Sequence, residues 1–306
     1  LSRGLGDVYK RQEGLVSQGI VAIMGADCSG VTGAVASNVA VPNGITIISP
    51  SATSPGLTTL KDKGLFFRTA PSDARGGQIL ADITKDRGVK SVAVTYTNND
   101  YGKGLADVYS AAVKAHGIKV TTVTAHEDGK ADYSAEVSTL ASAGGDAVAV
   151  IGYLDQGGKG IIQGSLDSGA FDTFILSDGM IGDSLTDTFG KSLNKSFGSL
   201  PGSLGKGAGV FGKVAKAAGI DPSGPYTGYS YYAADKIVLA ITQPLKVSSV
   251  VGGGDFTEVD PILWELYYSW KQNDSISITP AIFGGNDVWQ DGDDIFGAVI
   301  TTAFKF

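Results

Sequence analysis

Ser29, Ser51 and Thr53 lie in two short loops, Gly25-Ala26-Asp27-Cys28-Ser29-Gly30 and Ser49-Pro50-Ser51-Ala52-Thr53. Small hydroxyls, and free backbone N–H groups such as those around Ala52, suit a carboxylate when they open a helix. Each loop follows an apolar run, Ile20 to Met24 and Ile45 to Ile48, that reads as a buried parallel strand. A helix-like segment follows each loop. Both loops therefore sit at the carboxyl ends of strands, where open α/β sheets bind ligands. Asp178, after a third such strand, is the candidate counter-charge for an ammonium, because a charge taken out of water needs a partner. Its Ser-Asp-Gly setting equally makes an Asx turn. This is the chemistry of a receptor for a small anionic or zwitterionic molecule.

The elements that must position these groups are legible as an alternation of strands and helices over residues 13–243. The expected strands are 20–24, 45–48, 66–69, 91–96, 119–123, 147–151 and 173–176. The expected helices are 31–41, 72–86, 103–115, 133–143, 158–166 and 226–241. Ser72 reads as an N-cap, and Gly88, Gly117, Gly144 and Gly169 as stop signals. Strands separated by helices of this length imply βαβ units, hence parallel sheets with every strand ending on one edge. Tyr153 and Tyr101 then fall on that edge. Tyr153 either meets the ligand or packs at its strand end, and Tyr101 either lines the cleft or fixes its turn.

Composition excludes several classes. The chain has 306 residues, enough for two domains, with 42% hydrophobic and 18% charged residues and a net charge of −7. No basic stripe appears, so no nucleic-acid partner is expected. The two histidines, His116 and His126, lack soft ligands nearby, so neither a metal nor a cofactor is expected. No apolar run reaches the ~18 residues of a membrane helix. No G-x-S-x-G or P-loop occurs, and Gly157-Gly158-Lys159-Gly160 lacks the P-loop spacing, so an enzyme is not expected. No signal peptide is visible, and Leu1 is not a natural start. Residues 1–12, LSRGLGDVYKRQ, have no period, are similar to a translated sequencing-adapter string, and are set aside as unstructured.

Beyond residue 243 the pattern changes. Trp264, Trp270 and Trp289 all fall there, and 261–272, 275–283 and 295–306 read as strands. Alternating strands of about ten residues ending on aromatics fit an outer-membrane β-barrel. An ordinary soluble hairpin is the other reading.

Five segments, IVAIMGADCSG (20–30), ITIISPSATSP (45–55), NDYGKG (99–104), IGYLDQGGKGIIQ (151–163) and SDGMIGDSLTD (177–187), resemble the periplasmic solute-binding proteins of branched-chain amino-acid ABC transporters. The resemblance implies an α/β type I periplasmic binding protein with two lobes of parallel sheet. The ligand is an amino acid or a small amide-like relative, enclosed as the lobes close about a hinge near Thr69–Ser72 and Gln243. It implies that the ligand carboxylate meets Ser29, Thr53 and the amides near Ala52, that the Ser51 carbonyl faces the ammonium, and that Tyr153 covers the ligand. It gives Asp178 the acidic role by position and charge, and it marks Tyr229 as a departure, because relatives often carry an acid there. A membrane permease is the implied partner, the periplasm the implied location, and a monomer the expected state.

Against that pattern, residues 13–70 read as a partial first lobe and 71–243 as a complete second lobe. The strand, helix and strand that precede Glu13 in complete members are absent, as is the return to the first lobe. Weak or no affinity follows from that truncation. Cys28 is then either the orphan of a disulfide whose partner is missing or a small buried thiol. Residues 244–306, through WELYYSWKQNDSISITPAIF (264–283) and FGAVITTAFKF (296–306), resemble the C-terminal strands of cyanobacterial porins, which reads as a chimeric join. An outer-membrane porin fragment and a ligand-sensing receptor domain are the rival functions.

Overall fold

The computed structural model describes residues 14, 16–17, 19–202, 208–222 and 224–242, and the backbone of four strands between 262 and 304. The chain divides into two compact units at Ala234/Asp235. Residues 1–12 and the hinge position Gln243 lie outside the described residues.

In the first unit two parallel sheets carry the architecture. The smaller has the order β1 (Ala22–Met24), β2 (Thr46–Ser49), β3 (Phe66–Arg68), all parallel. Helix α1 (Ser29–Val35), which runs on as a π-helical turn at Ala36–Ala40, packs Val35, Ala36, Val39 and Ala40 on Ile45 and Ile47. The larger sheet contains β4 (Ser91–Thr97), β5 (Lys119–His126), β6 (Ala147–Ile151), β7 (Phe174–Leu176) and β8 (Phe197–Gly198). Its order is β5-β4-β6-β7-β8, again all parallel.

Alternation along these strands feeds two cores. Val92, Val94, Ala149 and Ile151 face α2 (Asp73–Asp86) and α3 (Asp100–Ala115) through Leu80, Leu105, Tyr109 and Val113. Ala93, Val148, Val150 and Leu176 face α4 (Ser134–Ala143) and α5 (Lys159–Ser168) through Leu140, Ile161 and Ile162. Helices on both faces of a parallel sheet are the doubly wound arrangement. Strands are added outward in opposite directions from β4 and β6, a topological switch point, and Tyr101, in the first turn of the helix after β4, and Tyr153, just after β6, lie at those strand ends.

Most boundaries fall within a few residues of the expected ones. Ser72 caps α2, its hydroxyl accepting from the Ala74 amide at 3.2 Å. Gly88, Gly117, Gly144 and Gly169 all have φ between 67° and 77°. Helix α3 starts three residues before the expected Lys103, because Asn99 caps it by accepting from Gly102 N–H at 3.0 Å. Helix α1 starts two residues before Val31, at Ser29. The sequence reading missed β8, α6 (Asp183–Phe189), α7 (Ala208–Ala217) and the 3₁₀ turn Pro55–Thr59. Helix α8 (Thr227–Thr242) closes the run.

The second unit holds β9 (Ile262–Tyr267), β10 (Trp270–Asn273), β11 (Ile276–Asn286) and β12 (Ile295–Phe304). All pairings are antiparallel, with β11 bonded to each of the others. The expected antiparallel C-terminal segment is therefore present.

Gly102 fixes how closely α3 approaches β4. A Cβ there would stand 2.2 Å from the Thr97 carbonyl oxygen. Gly102→Ala is expected to destabilise the fold by about 1–3 kcal/mol, the usual cost of overpacking, read as a lower denaturant midpoint. An unchanged midpoint would show that this approach is not tight.

Candidate functional site

The two loops of the smaller sheet are laced together by short hydroxyl side chains. The Ala26 carbonyl accepts from Ser49 Oγ at 2.6 Å and from Thr32 Oγ1 at 3.0 Å. Ser51 Oγ donates to the Asp27 carbonyl at 3.0 Å. Ser29 is the first residue of α1, whose N-cap position is Cys28. The residue is 3% exposed, and its Oγ accepts from the Ser54 amide at 3.1 Å, so one loop braces the other and the Ser29 proton is left for another acceptor. From the end of β3, Arg68 reaches back beneath the second loop, its Nη1 donating to the carbonyls of Ser54 at 2.9 Å and Ala52 at 3.3 Å. The sequence reading did not single out Arg68.

The facing groups come from the larger sheet. Tyr101, in the first turn of α3, is buried and donates to Asp178 Oδ1 at 2.6 Å. Tyr226, just before α8, donates to Asp178 Oδ2. Both phenols are pushed well above their ordinary range, first by burial and then by the Asp178 charge. Tyr101 and Tyr153 stack with ring centroids 5.3 Å apart. Burial raises the Tyr153 phenol too.

These groups converge. A cavity of about 230 Å³ is lined by Ser29, Ser51, Thr53, Tyr101, Tyr153 and Asp178, and also by Asp27, Cys28 and Tyr226. A wider cleft of about 1000 Å³, sharing Ser29 and Tyr153, adds Asn99, Asp100 and Asp128. Six of the eight residues singled out in the sequence thus share one space.

The other two do not. Ala52 is fully buried behind the wall, and its amide donates to Ser49 Oγ at 3.0 Å, so it offers nothing to the cavity. Tyr229 lies one helical turn beyond the lining residue Tyr226, and its hydroxyl donates to the Gly202 carbonyl at 2.9 Å. Tyr226, which no sequence argument marked, takes the place expected of Tyr229. Cys28 is exposed rather than buried, within hydrogen-bond reach of Tyr153.

Asp73 was also missed. It is the first residue of α2, and its amide donates to the Thr53 carbonyl at 2.9 Å. Burial, and secondarily the Asp178 charge, push its carboxyl up to about 7, against the opposing Thr53 hydroxyl and Arg68 guanidinium.

The receptor family ligand binding region model matches residues 6–209, two-thirds of the sequence. The chain belongs to that family. A Leu/Ile/Val-binding protein homolog 3 from Brucella melitensis is 37% identical over 147 residues, covering 47% of this chain and 39% of the relative. A homolog 1 from the same organism is 33% identical over 233 residues, covering 73% and 60%. The chain thus spans about two-fifths to three-fifths of the length of these curated relatives. Among solved structures, a branched-chain amino-acid transporter substrate-binding protein from Streptococcus pneumoniae, in complex with isoleucine, matches with a TM-score of 0.62 at 23% identity, covering 77% of this chain and 67% of that one. That likeness establishes the type I periplasmic binding protein fold for this member of the receptor family. The family model stops at residue 209 and so says nothing of 244–306.

A buried carboxyl raised to about 7 keeps its proton in the folded state while the unfolded chain loses it near pH ~4. Between those values the folded state binds more protons, so this group makes stability fall as pH rises toward 7. Asp73→Asn is expected to remove that part of the decline, so that the variant gains on the parent between pH 4 and 8 in denaturant melts. Parallel pH profiles for the two proteins would show that Asp73 is charged throughout.

Proposed function

We propose that this chain is the ligand-capturing part of an ABC importer for an amino acid or a small amino-acid-like solute. The convergence of the Ser29 hydroxyl, the Ser51 loop and Asp178 on one cavity carries this reading. It offers the Ser29 hydroxyl to a carboxylate on one side and a hydrogen-bonded carboxylate to an ammonium on the other, with the Tyr101–Tyr153 stack as an apolar wall. The size suits a small solute, since pockets for drug-sized ligands run to roughly 300–1000 Å³. Membership of a ligand-binding receptor family and similarity to Leu/Ile/Val-binding homologs support it.

In this reading Ser29 donates to the ligand carboxylate, the Ser51 carbonyl and Asp178 accept from its ammonium, and Tyr153 covers it. Thr53 contributes less than the sequence reading gave it, because its hydroxyl already serves Asp73. Capture proceeds by rotation of the two sheets toward each other about the segment at Thr69–Ser72. A periplasmic location and a membrane permease partner follow from the same assignment. The second unit, with its antiparallel strands, is compatible with a porin-like segment, but no comparison supports that origin and the function is assigned to the first unit.

Isothermal titration with a panel of L-amino acids is expected to show saturable binding that is weak, as the truncation implies. Asp178→Asn should weaken it tenfold or more, since a hydrogen bond to a charged group contributes about 1.5–3 kcal/mol. Ser29→Ala should weaken it less. Equal affinity for the matching decarboxylated amines, or no effect of Asp178→Asn, would sink the assignment.

A further inference from the structure

A second cavity, of about 220 Å³, lies behind the first and shares Thr53 and Asp178 with it as a common wall. Its other sides come from Asp73 and Leu80 on α2, Leu105 on α3, and the segment after β8 around Pro201 and Gly202. Tyr229 closes it, held there by its bond to the Gly202 carbonyl.

Asp73 is the exceptional residue in this wall. It is 6% exposed, and its Oδ2 is buried without a hydrogen-bond partner. A carboxyl oxygen in that condition is costly and calls for a donor. The charged and titratable groups around it do not supply one. Arg68, from β3, gives its donors to Ala52, Ser54 and Thr58. Arg75, two residues along α2, is exposed and donates to Gln78 at 3.4 Å. Asp178, after β7, is a second acid, already accepting from two phenols. The Thr53 hydroxyl serves the carboxyl but leaves Oδ2 unmatched.

We propose that this second cavity is a subsite for the far end of the ligand, and that it takes a side chain ending in an N–H donor, amine or amide, with Asp73 as the acceptor. The inference rests on the amino-acid reading of the first cavity. With the ligand's backbone held at Ser29 and Asp178, its side chain passes between Thr53 and Asp178. A terminal nitrogen then satisfies Oδ2, which a purely aliphatic side chain cannot do. A site built around an acceptor rejects ligands that leave it unmatched. Tyr229, where relatives often carry an acid, thus forms part of the subsite without touching the ligand's charged head.

The test is titration of the full chain with leucine, glutamine, lysine and ornithine, read as ratios of affinity. Glutamine, lysine or ornithine is expected to bind at least tenfold more tightly than leucine. In Asp73→Leu that preference should collapse to less than threefold, with circular dichroism confirming the fold. Asp73→Asn keeps shape and an acceptor oxygen but cannot ionise to pair with an ammonium, so it distinguishes amide from amine: it should spare glutamine and weaken lysine and ornithine. Leucine binding as tightly as all three nitrogen-bearing ligands overturns the subsite alone and leaves the amino-acid reading standing. The same holds if the preference survives in Asp73→Leu. No saturable binding by any of the four at millimolar concentration overturns both.

Discussion

A carboxylate drawn out of bulk water has to be matched by donors, and Asp178 is matched by two phenols arriving from different parts of the chain. Tyr101 comes from the helix after β4, Tyr226 from the start of α8. Neither is a cation, so the carboxylate is satisfied in its hydrogen bonds and unbalanced in its charge. That combination is what the proposed ammonium would balance. It also explains Asp73, whose neighbour's charge adds to burial in keeping it protonated. The site is organised around two acids, neither of which is ion-paired among the described residues.

The division of labour between the sheets follows from their construction. The larger sheet is covered on both faces and places Tyr101, Tyr153 and Asp178 at the ends of β4, β6 and β7. Those three are held by packed elements, since Gly102 brings α3 against the Thr97 carbonyl. The smaller sheet has three strands and a single apolar cluster. Its loops owe their shape to side-chain bonds among Ala26, Asp27, Ser29, Ser49, Ser51 and Ser54, with Arg68 beneath. Rigid aromatic groups thus face hydroxyls positioned by a polar lattice.

Much of this was readable in the residues, for definite reasons. Apolar runs such as Val92–Val94 and Val148–Ile151 are buried on both sides and have no other reading than central parallel strands. Gly88, Gly117, Gly144 and Gly169 mark helix ends because each takes a positive φ. Ser29, Ser51, Thr53, Tyr101, Tyr153 and Asp178 follow strands, and strand ends share an edge. What failed depended on orientation within a turn. Ala52 and Thr53 are adjacent, yet the Ala52 amide turns inward to Ser49. Tyr226 and Tyr229 are three residues apart, and which of them faces the cavity is set by how α8 lies, which no local pattern encodes. Asp73 looked like an ordinary acidic residue in a helix's first turn. Its burial comes from Thr53 and Asp178, distant in sequence.

The first turn of α8 is fastened at two points. Tyr226 holds Asp178 at the rim of the larger sheet, and the Tyr229 carbonyl accepts from Thr69 Oγ1, just past the last strand of the smaller one, at 2.9 Å. A single helical turn is therefore moored to both sheets, like a cleat with a line to each bank. In the proposed closure, one mooring has to slip before the other, and the weaker of the two decides which sheet this turn travels with.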